Sequence, residues 1–129
     1  MAKTGPDWTL DTRLVFQTAL AGAVLQLALA GAAHAYPWVA IHLVLFGRAM
    51  ASATAGYLYG LIRGRGFGAG ALGGAIAGGL CVVPALALSL SLADHETIVA
   101  TTSAGISVLT GAVGGAFGQL GAILRRLGL

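Results

Sequence analysis

The chain is predicted to be an all-α integral membrane protein, an antiparallel four-transmembrane-helix bundle with short loops and both termini cytoplasmic. Three observations predict this. Only 9% of the 129 residues are charged and 57% are hydrophobic, against about 25% charged in soluble domains, so polar surface is too scarce to cover a globule in water. Four apolar runs reach the roughly 20 residues that a helix needs to cross a hydrocarbon core about 30 Å thick. The basic residues gather on one side of those runs.

The spans are expected at 14–33, 39–62, 67–92 and 97–124, in a single membrane domain of residues 1–129. The first follows Lys3 and Arg13 and ends before His34, Tyr36 and Pro37. A basic start, an apolar stretch and Ala33-His34-Ala35 imitate a signal peptide, but the run exceeds the 7–15 residues of an h-region. The second span ends at Arg63-Gly64-Arg65-Gly66, and the third ends before Asp94, His95 and Glu96. The fourth ends at Arg125 and Arg126. Loops this short force consecutive helices to run antiparallel. Lys3, Arg13, Arg63, Arg65, Arg125 and Arg126 then share the cytoplasmic side, and the opposite loops carry no Lys or Arg. Trp8, Tyr36, Trp38, Tyr57 and Tyr59 are expected near the interfaces, where an amphipathic ring keeps one end wet. The basic residues form no dense patch, so no nucleic-acid partner is expected. Cys81, the single cysteine, excludes an internal disulfide and is expected to be a small packing residue.

Small residues recur every fourth position: Ser52, Gly56, Gly60 and Gly64 in the second span, and Gly66, Gly70, Gly74 and Gly78 entering the third. The fourth has Gly111 with Gly115 and Gly114 with Gly118, along a stripe from Ser103, Ser107 and Thr110 to Gly121. Residues four apart share a helix face, and in lipid such ridges let backbones approach closely. They suit packing inside one bundle. With ridges on three spans, they also suggest self-association or docking onto other membrane subunits. Gly64 to Gly74 does not make a phosphate loop, since no strand precedes it and no Lys-Ser/Thr follows. An offset of 62 aligns Gly56, Leu58, Arg63 and Gly66 with Gly118, Leu120, Arg125 and Gly128. This is compatible with a duplicated hairpin and equally with independent helix ends.

Arg48 is expected near the membrane midplane, where insertion of a charge costs about 2.5–3.5 kcal/mol. It shares the ridge of Ser52, Gly56 and Gly60, which directs it toward a helix contact. It is the candidate intramembrane charge, an anion or partner site balanced by an outer-loop acid, backbone carbonyls, a bound anion, a headgroup or another chain. His42, Gln26 and Gln17 are the candidate polar or ligand residues, His42 being the one histidine within a span and so the single candidate to ligate haem or chlorophyll. Gln17, Gln26 and Gln119, with Ser89, Ser91, Thr101 and Thr102, are expected to bond between helices. Pro84 is expected to kink the third span by freeing the Leu80 carbonyl.

In length and span count the chain resembles the double-barrelled fluoride channels, but their helix-2 Asn and Phe-Ser/Thr-rich helix-3 segment are absent. The embedded first-helix Glu of small multidrug exporters is absent as well, its place held by Gln17 and Gln26. The run Gly56 to Gly79 and the glycine-rich fourth span resemble four-span families of bacteria and archaea. That resemblance implies a bacterial or archaeal plasma membrane. No acid, base and nucleophile come together in the sequence, so no enzyme is expected. The expected function is helix–helix association, as a homo-oligomer or an accessory subunit of a larger membrane complex. The competing expectation is a small transporter or channel with Arg48 as an anion-attracting site.

Overall fold

The computed structural model describes residues 10–63, 66–91 and 97–129. Lys3, Trp8, Gly64, Arg65, Leu92, Asp94, His95 and Glu96, and the side chain of Ser89, lie outside the described residues. The described chain is all-helical: α1 Thr12–Ala35, α2 Pro37–His42, α3 Val44–Arg63, α4 Phe67–Ser91 and α5 Thr97–Arg126.

Each boundary has a local cause. Asp11 caps α1, its Oδ1 accepting from Leu14 N at 3.2 Å. Tyr36 precedes a proline and is therefore extended, at φ −127° and ψ 105°, and Pro37 opens α2 at its first turn. The turn from α3 to α4 passes through Gly66 at φ +125°, backbone that a residue with a Cβ rarely adopts.

Among the described residues three helices are long and apolar enough to cross a membrane, over Thr12–Ala35, Phe67–Leu88 and Thr101–Arg126. α3 is not among them, because Arg48, Ser52 and Thr54 lower the hydropathy of its 20 residues. The expected span 39–62 is also not one helix. It breaks at Leu43, between α2 and α3. There the His42 ring stacks on Trp38, with centroids 5.1 Å apart, and Nδ1 lies 3.1 Å from the Trp38 carbonyl oxygen. Helical bonding persists on either side, Leu43 N donating to the Val39 carbonyl at 2.9 Å and Gly47 N to that of Leu43 at 2.8 Å. At Pro84, by contrast, α4 continues as one helix.

The packing is inverted relative to a soluble domain. α1 turns Val15, Thr18, Ala19, Gly22, Ala23 and Gln26 inward and leaves Phe16, Leu20 and Val24 exposed. Small residues inside and large apolar ones outside suit a lipid surround, where close backbone approach replaces apolar burial as the cohesive force. The core cluster is Val15, Ala19, Ala55, Tyr59 and Ala77. α3 packs against α1, α4 and α5, and α4 against α1 and α5, while among the described helices α2 touches only α1 and α3. Tyr59, expected at an interface, is instead fully buried, its ring filling the space that a side chain at Gly73 would need.

Candidate functional site

The expected site residues of α3 sit one above another on a single face, about 6 Å apart per four residues. Together with α1, α4 and α5 they form a seam of polar and glycine layers.

At one end, half-buried Arg48 donates from Nη1 to Ser103 Oγ at 3.2 Å, linking α3 to α5. One turn along, Ser52, Gln26 and Cys81 meet and are fully buried. Gln26 Nε2 donates to Ser52 Oγ at 3.1 Å and to Cys81 Sγ at 3.2 Å. Cys81 in turn donates to the Gly78 carbonyl at 3.0 Å, an acceptor that Ser52 Oγ also reaches at 3.5 Å. Cys81 is therefore more than packing volume, since it joins a hydrogen-bonded network across three helices. Two buried atoms in this region have no hydrogen-bond partner among the described residues: Gln26 Oε1 and Ser107 Oγ. Such atoms carry a desolvation cost of about 1–3 kcal/mol.

Below this polar layer the backbones touch. A methyl group added to Gly56 would run into the Gly111 carbonyl, and one on Gly60 into that of Gly115. On the α4 side, a Cβ at Gly78 would stand 2.6 Å from the Ser107 carbonyl oxygen and one at Gly70 2.8 Å from that of Gly115, while one at Gly74 would strike Gly111. Gly114 and Gly118 press on the Ala53 and Tyr57 carbonyls. Thus positions 56 and 60 follow 111 and 115 in the same direction, while 70, 74 and 78 follow 115, 111 and 107 in the opposite one. Every glycine of the expected ridges in the described residues meets a helix of its own chain, apart from Gly66 in its turn.

Gln119 closes the far end. Fully buried, it donates from Nε2 to the Gly60 carbonyl at 2.6 Å and accepts at Oε1 from Gly66 N at 2.8 Å. One amide thus holds both sides of the α3–α4 turn. Expected as an interhelical bonder, it is one, and its partners are main-chain atoms. The signal for it is a long amide interrupting the small residues 114, 115 and 118. Nearby, Asp11 Oδ2 faces Arg63 Nη1 at 3.7 Å, and Asp11 N donates to Tyr59 Oη at 3.5 Å.

The remaining expected residues lie off the seam. His42 is exposed on α2 and engaged with Trp38. Gln17 is exposed near the start of α1. Among the described residues no group of three or more His, Cys, Asp or Glu side chains is placed to hold a metal ion. Comparison of the chain with protein-family models, with curated proteins and with solved structures returns no match.

Proposed function

We propose that this chain is an integral membrane protein that crosses the bilayer four times as an antiparallel bundle, with α2 and α3 sharing the second crossing and both termini cytoplasmic. Its membrane is the plasma membrane of a bacterium or archaeon. It is non-enzymatic and works by association with other membrane-embedded chains, a second copy or the subunits of a larger complex.

One contrast carries this reading. The glycine ridges are occupied by the chain's own helices, whereas α2 buries none of its residues and leaves Tyr36, Trp38, Ile41, Leu45 and Phe46 exposed around it. Exposed apolar side chains on the long helices suit lipid; α2 differs in packing on its chain neighbours α1 and α3 without burying a residue, which leaves its aromatic rings to a partner. The glycines then make the unit rigid, and α2 supplies the contact. Extraction in mild detergent followed by native mass measurement tests this. Wild type is expected as an oligomer or with companion subunits, and Trp38→Ala combined with Ile41→Ala is expected to release them. A wild-type chain that is monomeric and unaccompanied overturns the association reading.

The second reading, a small transporter or channel, rests on the line from Arg48 and Ser103 to Ser52, Gln26 and Ser107 with its two unpartnered buried atoms. Seven residues separate Arg48 from Ala55, which lies opposite Gly22 in the middle of α1. That is about 10 Å along the axis, so Arg48 belongs to the outer half of a 30 Å core and reaches headgroups more easily than a midplane charge. The line ends where Gly56, Gly74 and Gly111 bring three backbones together, so passage requires those helices to separate. Anion flux in liposomes that disappears in Arg48→Leu, with assembly unchanged, favours transport over association.

A further inference from the structure

Resting on the membrane reading above, we infer that a cleft at the α1/α3 end of the molecule binds a singly charged phosphate group, as presented by an anionic phospholipid. The cleft is open, with a volume of about 270 Å³, and is lined by Asp11, Arg13, Leu14, Gln17, Ile62 and Arg63. This is just under the roughly 300–1,000 Å³ of sites for drug-sized ligands, and suits a headgroup fragment.

The chemistry of the lining is specific. Asp11 is already committed, with Oδ1 to the α1 cap and Oδ2 facing Arg63. That pairing fixes Arg63 at the cleft wall with its side chain 13% exposed. Arg13 and Gln17 lie one turn apart on the same face of α1, both exposed, and neither makes a hydrogen bond or ion pair among the described residues. With Arg63 engaged by Asp11, the exposed Arg13 guanidinium supplies the positive charge and Gln17 a neutral amide, a pairing that suits a phosphate oxygen anion. Arginine and amide N–H groups are good donors to phosphate oxygens.

Position selects the lipid. The face of Arg13 and Gln17 continues along α1 as Leu20, Ala21 and Val24, all exposed, so guanidinium, amide and hydrocarbon follow one another as headgroup and acyl chain do. Arg125 and Arg126 end α5 at the same end of the molecule, as the Gln119 bond to Gly66 requires. Basic residues at that level favour an anionic leaflet.

The test is native mass spectrometry of the purified full chain at about pH 5, below the second ionisation of a phosphate monoester at roughly 6, with phosphatidylglycerol, phosphatidylcholine or soluble glycerol phosphate, which then carries one charge as the lipid diester does. Retention of phosphatidylglycerol over phosphatidylcholine is expected, falling about tenfold in Arg13→Gln and in Gln17→Leu, with a clearly smaller fall in the Arg125→Gln/Arg126→Gln control, whose residues lie outside the cleft. Binding of phosphatidylglycerol without glycerol phosphate assigns the lipid as source; binding of glycerol phosphate, abolished by the same variants, assigns the free anion to this site. Equal retention of both lipids without glycerol phosphate binding, or a loss no greater in the cleft variants than in the control, overturns the site. Carbonate extraction reads the membrane reading separately: a chain released to the soluble fraction ends that one, and a retained chain indifferent to phosphatidylglycerol and glycerol phosphate ends this one.

Discussion

Two buried glutamines have opposite prospects under substitution. Gln119 satisfies the Gly60 carbonyl and the Gly66 N–H with its two amide atoms, so Gln119→Leu strands a backbone acceptor and a backbone donor at once. We expect a loss of about 2 kcal/mol or more, read as a shift of the denaturation midpoint in detergent micelles. Gln26 has only its nitrogen engaged and its Oε1 unpartnered, so Gln26→Leu removes a liability along with its two bonds. A change below about 1.5 kcal/mol is expected, as for volume-conserving core swaps. Equal costs at the two positions contradict this assignment. That both bond between helices was legible from long amides in apolar runs; which atoms they would bond to was not. The partners of Gln119 lie 53 and 59 residues away and are main-chain atoms, which no side-chain pattern records. Tyr59 was misread for a related reason. Its distance from the span end suits an aromatic belt, and only the absence of a side chain at Gly73 makes room for it inside.

Among the helices, long apolar runs made α1, α4 and α5 readable, and their ends fall within a few residues of the expected spans. The break at Leu43 was not readable, since neither glycine nor proline marks it. The ridges were visible as a four-residue rhythm, but that rhythm says that a backbone comes close without saying whose. Here they join α3, α4 and α5 of one chain. Gly56→Ala and Gly74→Ala are therefore expected to destabilise by about 1–3 kcal/mol, as overpacking does. Gly31 and Gly105 face open space, and alanine there is expected to stabilise by up to about 1 kcal/mol through helix propensity. Thermal midpoints of the four variants in one detergent decide the matter. Destabilisation at all four positions means that the ridge contacts are not special.

For the molecule as a whole, the number of crossings has a parity that is easy to measure. If α1, α4 and α5 alone traverse the bilayer, residues before Thr12 and after Arg126 lie on opposite sides; if α2 and α3 add a fourth crossing, they share one side. Leu129 is 85% exposed and Trp38 63% exposed, whereas Cys81 is buried and should be slow to react. Leu129→Cys is expected to react with an impermeant maleimide only after the cytoplasmic face is opened, and Trp38→Cys in intact cells. The reverse pattern inverts the topology, and labelling of both from outside removes the fourth crossing. The position of α5 has a further implication, for the order in which the protein is made. α3 and α4 meet through glycines that both lean on α5, and the turn between them is held by Gln119 from α5. When the ribosome has released α3 and α4 but not yet α5, that hairpin lacks its main contact surface and the bonds at its turn. A segment translated after both thus completes the pairing of the two before it, and until it arrives the nascent chain is exposed to insertion errors and to membrane proteases.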